Sequence, residues 1–231
     1  MLTINNLHAY YGKSHILQGI NLCVKDSQII SLLGRNGVGR STVIKTIMGL
    51  VKPIGEISYN GKLITGLQTH QIANLGIGYV PENREIFPDL TVMENMELGK
   101  KNNLLNNIWN LEELFELFPN LANRRNVHAG ALSGGEQQML TISRCLMGNP
   151  NLIMIDEPTE GLSPKMVENV KTLLYKIVSK KISIILVEQK LTIALDLSDK
   201  LYVMGHGKIV FEGTPKDMKK NINIQKEWLE V

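Results

Sequence analysis

The chain has 231 residues, 43% of them hydrophobic and 20% charged, and a net charge of +3. That length sustains one large domain, or one domain carrying an insert, and the composition is that of a globular protein. The apolar runs are of strand length, far short of the roughly 20 residues that span a membrane, and so small and dispersed a charge excludes a nucleic-acid groove.

The first residues, MLTINNLHAYYG, lack a basic start followed by an apolar core, so the expectation is a chain that stays in the cytosol. Segments 2–7 and 16–24 are mixed apolar stretches, and 55–61 (GEISYNG) adds a strand ending in an Asn-Gly turn; together they predict a small antiparallel sheet. Tyr11, just before Gly12, is either an aromatic exposed to stack on a purine or an ordinary half-buried strand tyrosine. Cys23 and Cys145 lie far apart in apolar surroundings and read as reduced, buried thiols, with no metal site expected.

Residues 29–33 (IISLL) predict a buried strand and 43–50 (VIKTIMGL) a helix. Between them runs Gly34-Arg35-Asn36-Gly37-Val38-Gly39-Arg40-Ser41-Thr42. The glycine spacing, followed by a basic residue and a serine, is that of a loop that cradles a polyphosphate: glycines turn backbone N–H groups inward and the helix start adds positive potential. Arg40 stands where the pattern has Lys. The charge survives, but a planar five-donor fork replaces a compact ammonium.

Residues 76–80 (GIGYV) form a short strand ended by Pro81-Glu82-Asn83-Arg84, and 90–130 turns helical, with LEELFELF at 111–118, as an insert. The Asn-rich run at 100–110 reads as loop or frayed helix. Leu132-Ser133-Gly134-Gly135-Glu136 then opens an amphipathic helix, whose free N–H groups offer a second anion seat. Residues 152–155 are a fully apolar strand with Asp156 and Glu157 at its carboxyl end, where ligands of open α/β sheets bind. One carboxylate there can hold Mg²⁺ through its water shell while the next deprotonates a water; the plainer alternative is a turn, with Asp as cap and Pro158 as punctuation. A helix at 164–179, a strand at 182–187 ending in Glu188-Gln189, a helix at 190–197, a hairpin of 201–204 with 208–212 and a polar helical tail at 215–231 complete an α/β alternation.

The set YYG, GRNGVGRST, VPENREIFP, LSGGEQQML, LIMIDEPTEGLSP and ILVEQ, in that order, resembles the ATP-binding subunits of ABC transporters over nearly the whole chain. The closer likeness is to the ATPases of branched-chain amino acid importers and their relatives, and within that group to the urea importer's second ATPase. The resemblance implies a P-loop NTPase with a RecA-like core, an N-terminal antiparallel β subdomain and a helical insert. It makes 1–231 a single nucleotide-binding domain, with the core at 1–82 and 151–231 and the helical subdomain at about 83–150.

The resemblance also implies roles. Tyr11 would stack on adenine, and Gly34, Arg35, Asn36, Gly37, Val38, Gly39, Arg40, Ser41 and Thr42 would surround the phosphates of ATP. Ser41, Asp156 and Glu82 would serve Mg²⁺, Glu157 would be the general base, and Gln189 would touch the γ-phosphate. Ser133, Gly134 and Gly135 would cap the nucleotide of a second ABC ATPase, in a heterodimer or a homodimer. Four positions depart from the family pattern: Glu82 replaces Gln, Gln189 replaces the switch histidine, Ser163 replaces Asp and Arg40 replaces Lys. The last implies ATP binding with slower hydrolysis.

The implied activity is ATP hydrolysis that drives uptake of urea, or alternatively of branched-chain amino acids. The chain would sit peripherally on the cytoplasmic face of the membrane, on two transmembrane permease subunits, served indirectly by an extracytoplasmic solute-binding protein. It would be soluble when isolated. Alternatives of another class are a non-hydrolysing ATP-dependent dimer module and a soluble ABC ATPase.

Overall fold

A computed structural model describes residues 1–101 and 108–229. Strands β1 (Leu2–Tyr11) and β2 (Ser14–Val24) run longer than the apolar segments that announce them, because Gly12, at φ 59°, reverses the chain within a tight turn. β3 (Ile29–Leu33) is buried throughout and leads through the glycine loop into α1 (Arg40–Ile47), which starts three residues earlier than the apolar pattern suggests. β4 (Pro53–Tyr59), β5 (Lys62–Leu63), α2 (Thr69–Asn74) and β6 (Ile77–Val80) follow.

The insert contributes α3 (Val92–Glu97), α4 (Leu111–Leu117) and α5 (Pro119–Asn123) before α6 (Gly134–Met147). Then come β7 (Leu152–Asp156), α7 (Pro164–Ser179), β8 (Ser183–Val187), α8 (Leu191–Leu197), β9 (Lys200–Gly205) and β10 (Lys208–Gly213). The expected polar tail is two short helices, α9 (Pro215–Lys220) and α10 (Ile222–Trp228), parted at Asn221. Most of the Asn-rich run, at 102–107, lies outside the described residues, as do 230 and 231.

Two sheets result. One is antiparallel in the order β2-β1-β4-β5; the other, β10-β9-β3-β8-β7-β6, is parallel except for β10 at its edge. Alternate residues of the buried strands β7 and β8 serve two apolar cores. Met154, Ile185 and Val187 face the core shared with the antiparallel sheet and α1, whereas Ile153, Ile155, Ile184 and Leu186 face the core filled from the insert and α7. Each such side chain contributes about 1.5–3 kcal/mol by burial, so the strand ends are held firmly. Register then sets the site: Val187 pairs with Leu32 on one side and with Asp156 on the other, bringing the carboxyl ends of β3, β8 and β7 abreast.

The expectation of two buried thiols is corrected. Strand alternation turns Leu22 and Val24 inward and leaves Cys23 exposed. Cys145 is half-buried in a groove wall, and desolvation pushes its thiol up to about 12.

Candidate nucleotide site

Gly39 caps α1 at φ 105°, a conformation costly for other residues, and a Cβ there would stand 3.0 Å from Leu17. No side chain caps α1, so its first-turn N–H groups keep their donors for an anion. Gly34 passes so close to β9 that a Cβ would lie 2.6 Å from the Met204 carbonyl oxygen. Glycine is required at both ends of the loop.

Arg40 is 5% exposed, and both terminal nitrogens of its fork donate hydrogen bonds. Nη1 donates to the Glu188 carbonyl oxygen at 2.7 Å; Nη2 donates to Asn36 Oδ1 at 2.9 Å and to Glu157 Oε1 at 2.6 Å. A single ammonium on a flexible stem lacks the planar geometry to fix three partners this way. The loop's cation is thus tied to the acid that follows β7. Glu157 itself sits at φ 45°, a conformation that costs roughly 1–3 kcal/mol in a non-glycine residue, and its N–H donates to Val187 O at 2.9 Å.

Ser41 Oγ donates to Asp156 Oδ1 at 3.2 Å. Burial pushes the Asp156 carboxyl up to about 6, against the Ser41 hydrogen bond and with the charges of Glu157 and Glu82 adding to it. Glu157 is also raised, by burial first, with Arg40 opposing and Glu82 and Glu160 reinforcing. A hydroxyl and a buried carboxylate crowded by other acids, with Lys45 offsetting them by charge, are the donors a hard cation takes, so these residues fit Mg²⁺. Among the described residues no cluster of three or more His, Cys, Asp or Glu forms an all-protein cage. Substrate oxygens and water would supply the other ligands.

The remaining predicted residues fall in three places. Gln189 is exposed and lines a cleft of about 850 Å³ together with Gly34, Arg35 and Asn36. Tyr11 is 48% exposed at the end of β1, while neighbouring Tyr10 stacks on His15 with ring centroids 4.2 Å apart. Val38 packs on the core beneath the loop, and Thr42 is buried with its carbonyl accepting from Thr46. Glu82 is exposed and reaches the acids through its field.

Ser133, Gly134 and Gly135 belong to another edge, where a Cβ on Gly134 would collide with the Arg84 guanidinium and one on Gly135 would press on Met166. The N–H groups there are not all free: Ser133 Oγ accepts from the Glu136 N–H at 3.4 Å, and the Glu136 carboxylate accepts from the Ser133 N–H at 2.9 Å. Ser163, in place of the family's Asp, caps α7.

Sequence reasoning missed Thr159 and Glu188. The Thr159 hydroxyl donates to Glu188 Oε1 at 2.8 Å, and both residues are at most 2% exposed. The signal was present, since Glu188 follows a fully buried strand as Asp156 ends one.

A glycine loop between a buried strand and a helix, facing acids on the neighbouring strand ends, defines a P-loop nucleotide-binding cassette. Residues 17–160, more than half of the chain, match the family model of the ABC transporters, and the chain belongs to that family as one of its ATPases. It is 36% identical to the high-affinity branched-chain amino acid transport ATP-binding protein BraG of Pseudomonas aeruginosa, over 99% of each chain. It is 35% identical to the probable branched-chain amino acid transport protein LivF of Archaeoglobus fulgidus, over 98% of this chain and 97% of that one. The lipopolysaccharide export ATP-binding protein LptB of Haemophilus influenzae is 32% identical over 99% and 97%. A dimeric ATP-binding cassette in a post-hydrolysis state, bound to ADP and Pi, superposes with a TM-score of 0.81 at 25% identity, over 93% of this chain and 99% of that one. No helix among the described residues is long and apolar enough to cross a membrane.

Proposed function

We propose that this ABC ATPase energises uptake of a small solute across the cytoplasmic membrane, with branched-chain amino acids favoured over the urea that the motifs suggest. The relatives named for branched-chain amino acid transport support that order. The likeness to a lipopolysaccharide-export ATPase is in keeping with a nucleotide site that carries no information about cargo. The observation that carries the reading is the convergence of Arg40, Ser41, Asp156 and Glu157 beneath the glycine loop.

In this reading the loop's N–H groups and the start of α1 bind the phosphates of ATP, and Tyr11 stacks on adenine. Ser41 and Asp156, assisted by Glu82 through water, would hold Mg²⁺, which supplies charge neutralisation at the β and γ oxygens. Glu157 accepts a proton from the attacking water. Gln189, an amide that cannot titrate, orients a γ oxygen. To reach the phosphates the Arg40 guanidinium must be shared between them and Glu157, so the loop's cation also restrains the base. Hydrolysis is therefore slower than a lysine would allow. In the isolated full-length chain or with its mate, Arg40→Lys should raise kcat; an unchanged kcat removes the tether from the account.

Ser133, Gly134 and Gly135 cap the nucleotide on a second ATPase, related or identical, so that ATP is clamped between two cassettes. Residues 1–82 with 151–231 act as the catalytic core and about 83–150 as the helical subdomain. Between them runs a groove of about 540 Å³ whose lining includes Tyr79, Glu85, Phe87, Leu98, Lys101 and Arg144. Phe87 and Leu98 are 49% and 58% exposed. Permease subunits dock there, placing the chain peripherally on the cytoplasmic membrane face, with a solute-binding protein acting on the far side. Purification with its membrane partners and uptake assays with labelled leucine and urea test the assignment: ATP-dependent leucine uptake supports it, urea uptake alone reverses the order, and neither defeats both.

A further inference from the structure

We infer that Glu188 is a positioning residue that relays occupancy of the phosphate loop to the segment 157–163, acting through Thr159. The inference rests on the nucleotide-site reading above and adds to it a residue with no assigned role.

Glu188 touches four pieces of the site at once. Its N–H donates to Leu32 O at 3.2 Å, at the end of the strand that feeds the phosphate loop. Its carbonyl oxygen accepts from Arg40 Nη1 at 2.7 Å, so it feels any movement of the loop's cation. Its carboxylate accepts from Thr159 at 2.8 Å, and its chain neighbour is Gln189, on the cleft that Arg35 and Asn36 also line. Thr159 in turn lies two residues after Glu157 and four before Ser163, the cap of α7.

Glu188 and Thr159 are 2% and 1% exposed. Parting them would leave a buried acid and a buried hydroxyl without this bond, so the two move together. When Arg40 and Gln189 turn to phosphate, the Glu188 peptide shifts with them and the carboxylate draws Thr159. The loop carrying Glu157 follows. One short hydrogen bond thereby joins the γ-phosphate end of the site to the base and to the start of α7.

Charge around the carboxyl fits an adjustable contact. Burial pushes it up to about 7, the Glu157 carboxylate adds to that, and the Thr159 hydroxyl, the Lys190 N–H and the Lys190 ammonium oppose it. The Arg40 guanidinium faces the carbonyl of the same residue. Protonated or ionised, the carboxyl still offers Thr159 an acceptor oxygen, and Glu188→Gln preserves that acceptor.

Hydrogen exchange on the full-length chain, with and without a non-hydrolysable ATP analogue and Mg²⁺, tests the relay. The analogue should protect residues 34–42 in the parent chain, Glu188→Gln, Glu188→Ala and Thr159→Val alike. Protection of 157–163 should persist in the parent and in Glu188→Gln and fall about tenfold in Glu188→Ala and Thr159→Val, with no further fall in the double variant. In hydrolysis the same two single variants should lose about tenfold in kcat with KM for ATP within about twofold. If Glu188→Ala does not fold, the near-isosteric Thr159→Val carries the test. Undiminished protection of 157–163 in the variants, or additive losses in the double variant, overturns the relay while leaving the nucleotide site intact. Failure of the analogue to protect 34–42 in the parent chain overturns the nucleotide site and the relay together.

Discussion

Two helices in this cassette begin with a glycine-rich turn, and they treat their first N–H groups in opposite ways. At α1 the cap is Gly39, which has no side chain to offer, so the donors face whatever the loop encloses. At α6 the Ser133 hydroxyl and the Glu136 carboxylate close a reciprocal capping box. The surroundings differ in the same sense. Around α1 stand a largely buried Arg40–Glu157 ion pair at 2.6 Å, a strained Glu157 and an acid raised to about 6, whereas the start of α6 lies against Arg84 and Met166 and has a looser Arg124–Glu136 pair at 3.6 Å whose arginine is half-exposed. The first end keeps its donors open beside a strained acid; the second satisfies its own first-turn donors with its capping box.

The comparison can be broken or sharpened by substitution. The largest effect belongs to the acid beside α1: Glu157→Gln should lower kcat by about 10²–10⁴-fold with ATP affinity retained, read by phosphate release and nucleotide binding on the same preparation. Gly39→Ala comes next, because a Cβ at φ 105° strains the loop by roughly 1–3 kcal/mol. It should depress both thermal stability and ATP affinity. Ser133→Ala, at the other helix, should cost about 1 kcal/mol of stability as a lost cap. ATP affinity of the same chain's own loop should hardly change, and a large loss would erase the distinction drawn here.

The smallest effect is conditional on pH. Glu188 has a folded-state pKa of about 7, above the ordinary carboxylate value, so the folded chain holds that proton more tightly than the unfolded one. The associated stability is complete below the ordinary value and is lost as pH rises through about 7. Glu188→Gln has no proton to lose there. Its melting temperature should differ little from the parent's pH response near the acid end of that window, and should gain on the parent as pH rises toward 8.

Much of this was legible in the chain. The glycine spacing from Gly34 to Gly39 placed the loop, and four apolar residues before Asp156 placed the acids, because a buried parallel strand has both faces covered and must end where polarity resumes. The antiparallel sheet, the helical insert and the reading as an ABC ATPase hold. What sequence could not give is partnership across distance. Arg40 and Glu157 are 117 positions apart and Thr159 and Glu188 are 29 apart, and nothing local says that their side chains meet.

Other misses were legible and overlooked. Ser133 followed three residues later by Glu136 is a capping signature, and it accounts for N–H groups read as free. Leu22-Cys23-Val24 alternates, and so turns the cysteine outward. The start of α1 moved to Arg40 because its first turn is polar, facing the phosphate loop, where an apolar pattern has nothing to mark.

The central claim is that this loop and these acids hold magnesium nucleotide. Equilibrium dialysis of the full-length chain against labelled ATP with Mg²⁺, alone and with its companion ATPase, tests it most directly. The account predicts saturable, stoichiometric binding that Gly39→Ala weakens; no retained nucleotide under either condition would contradict it.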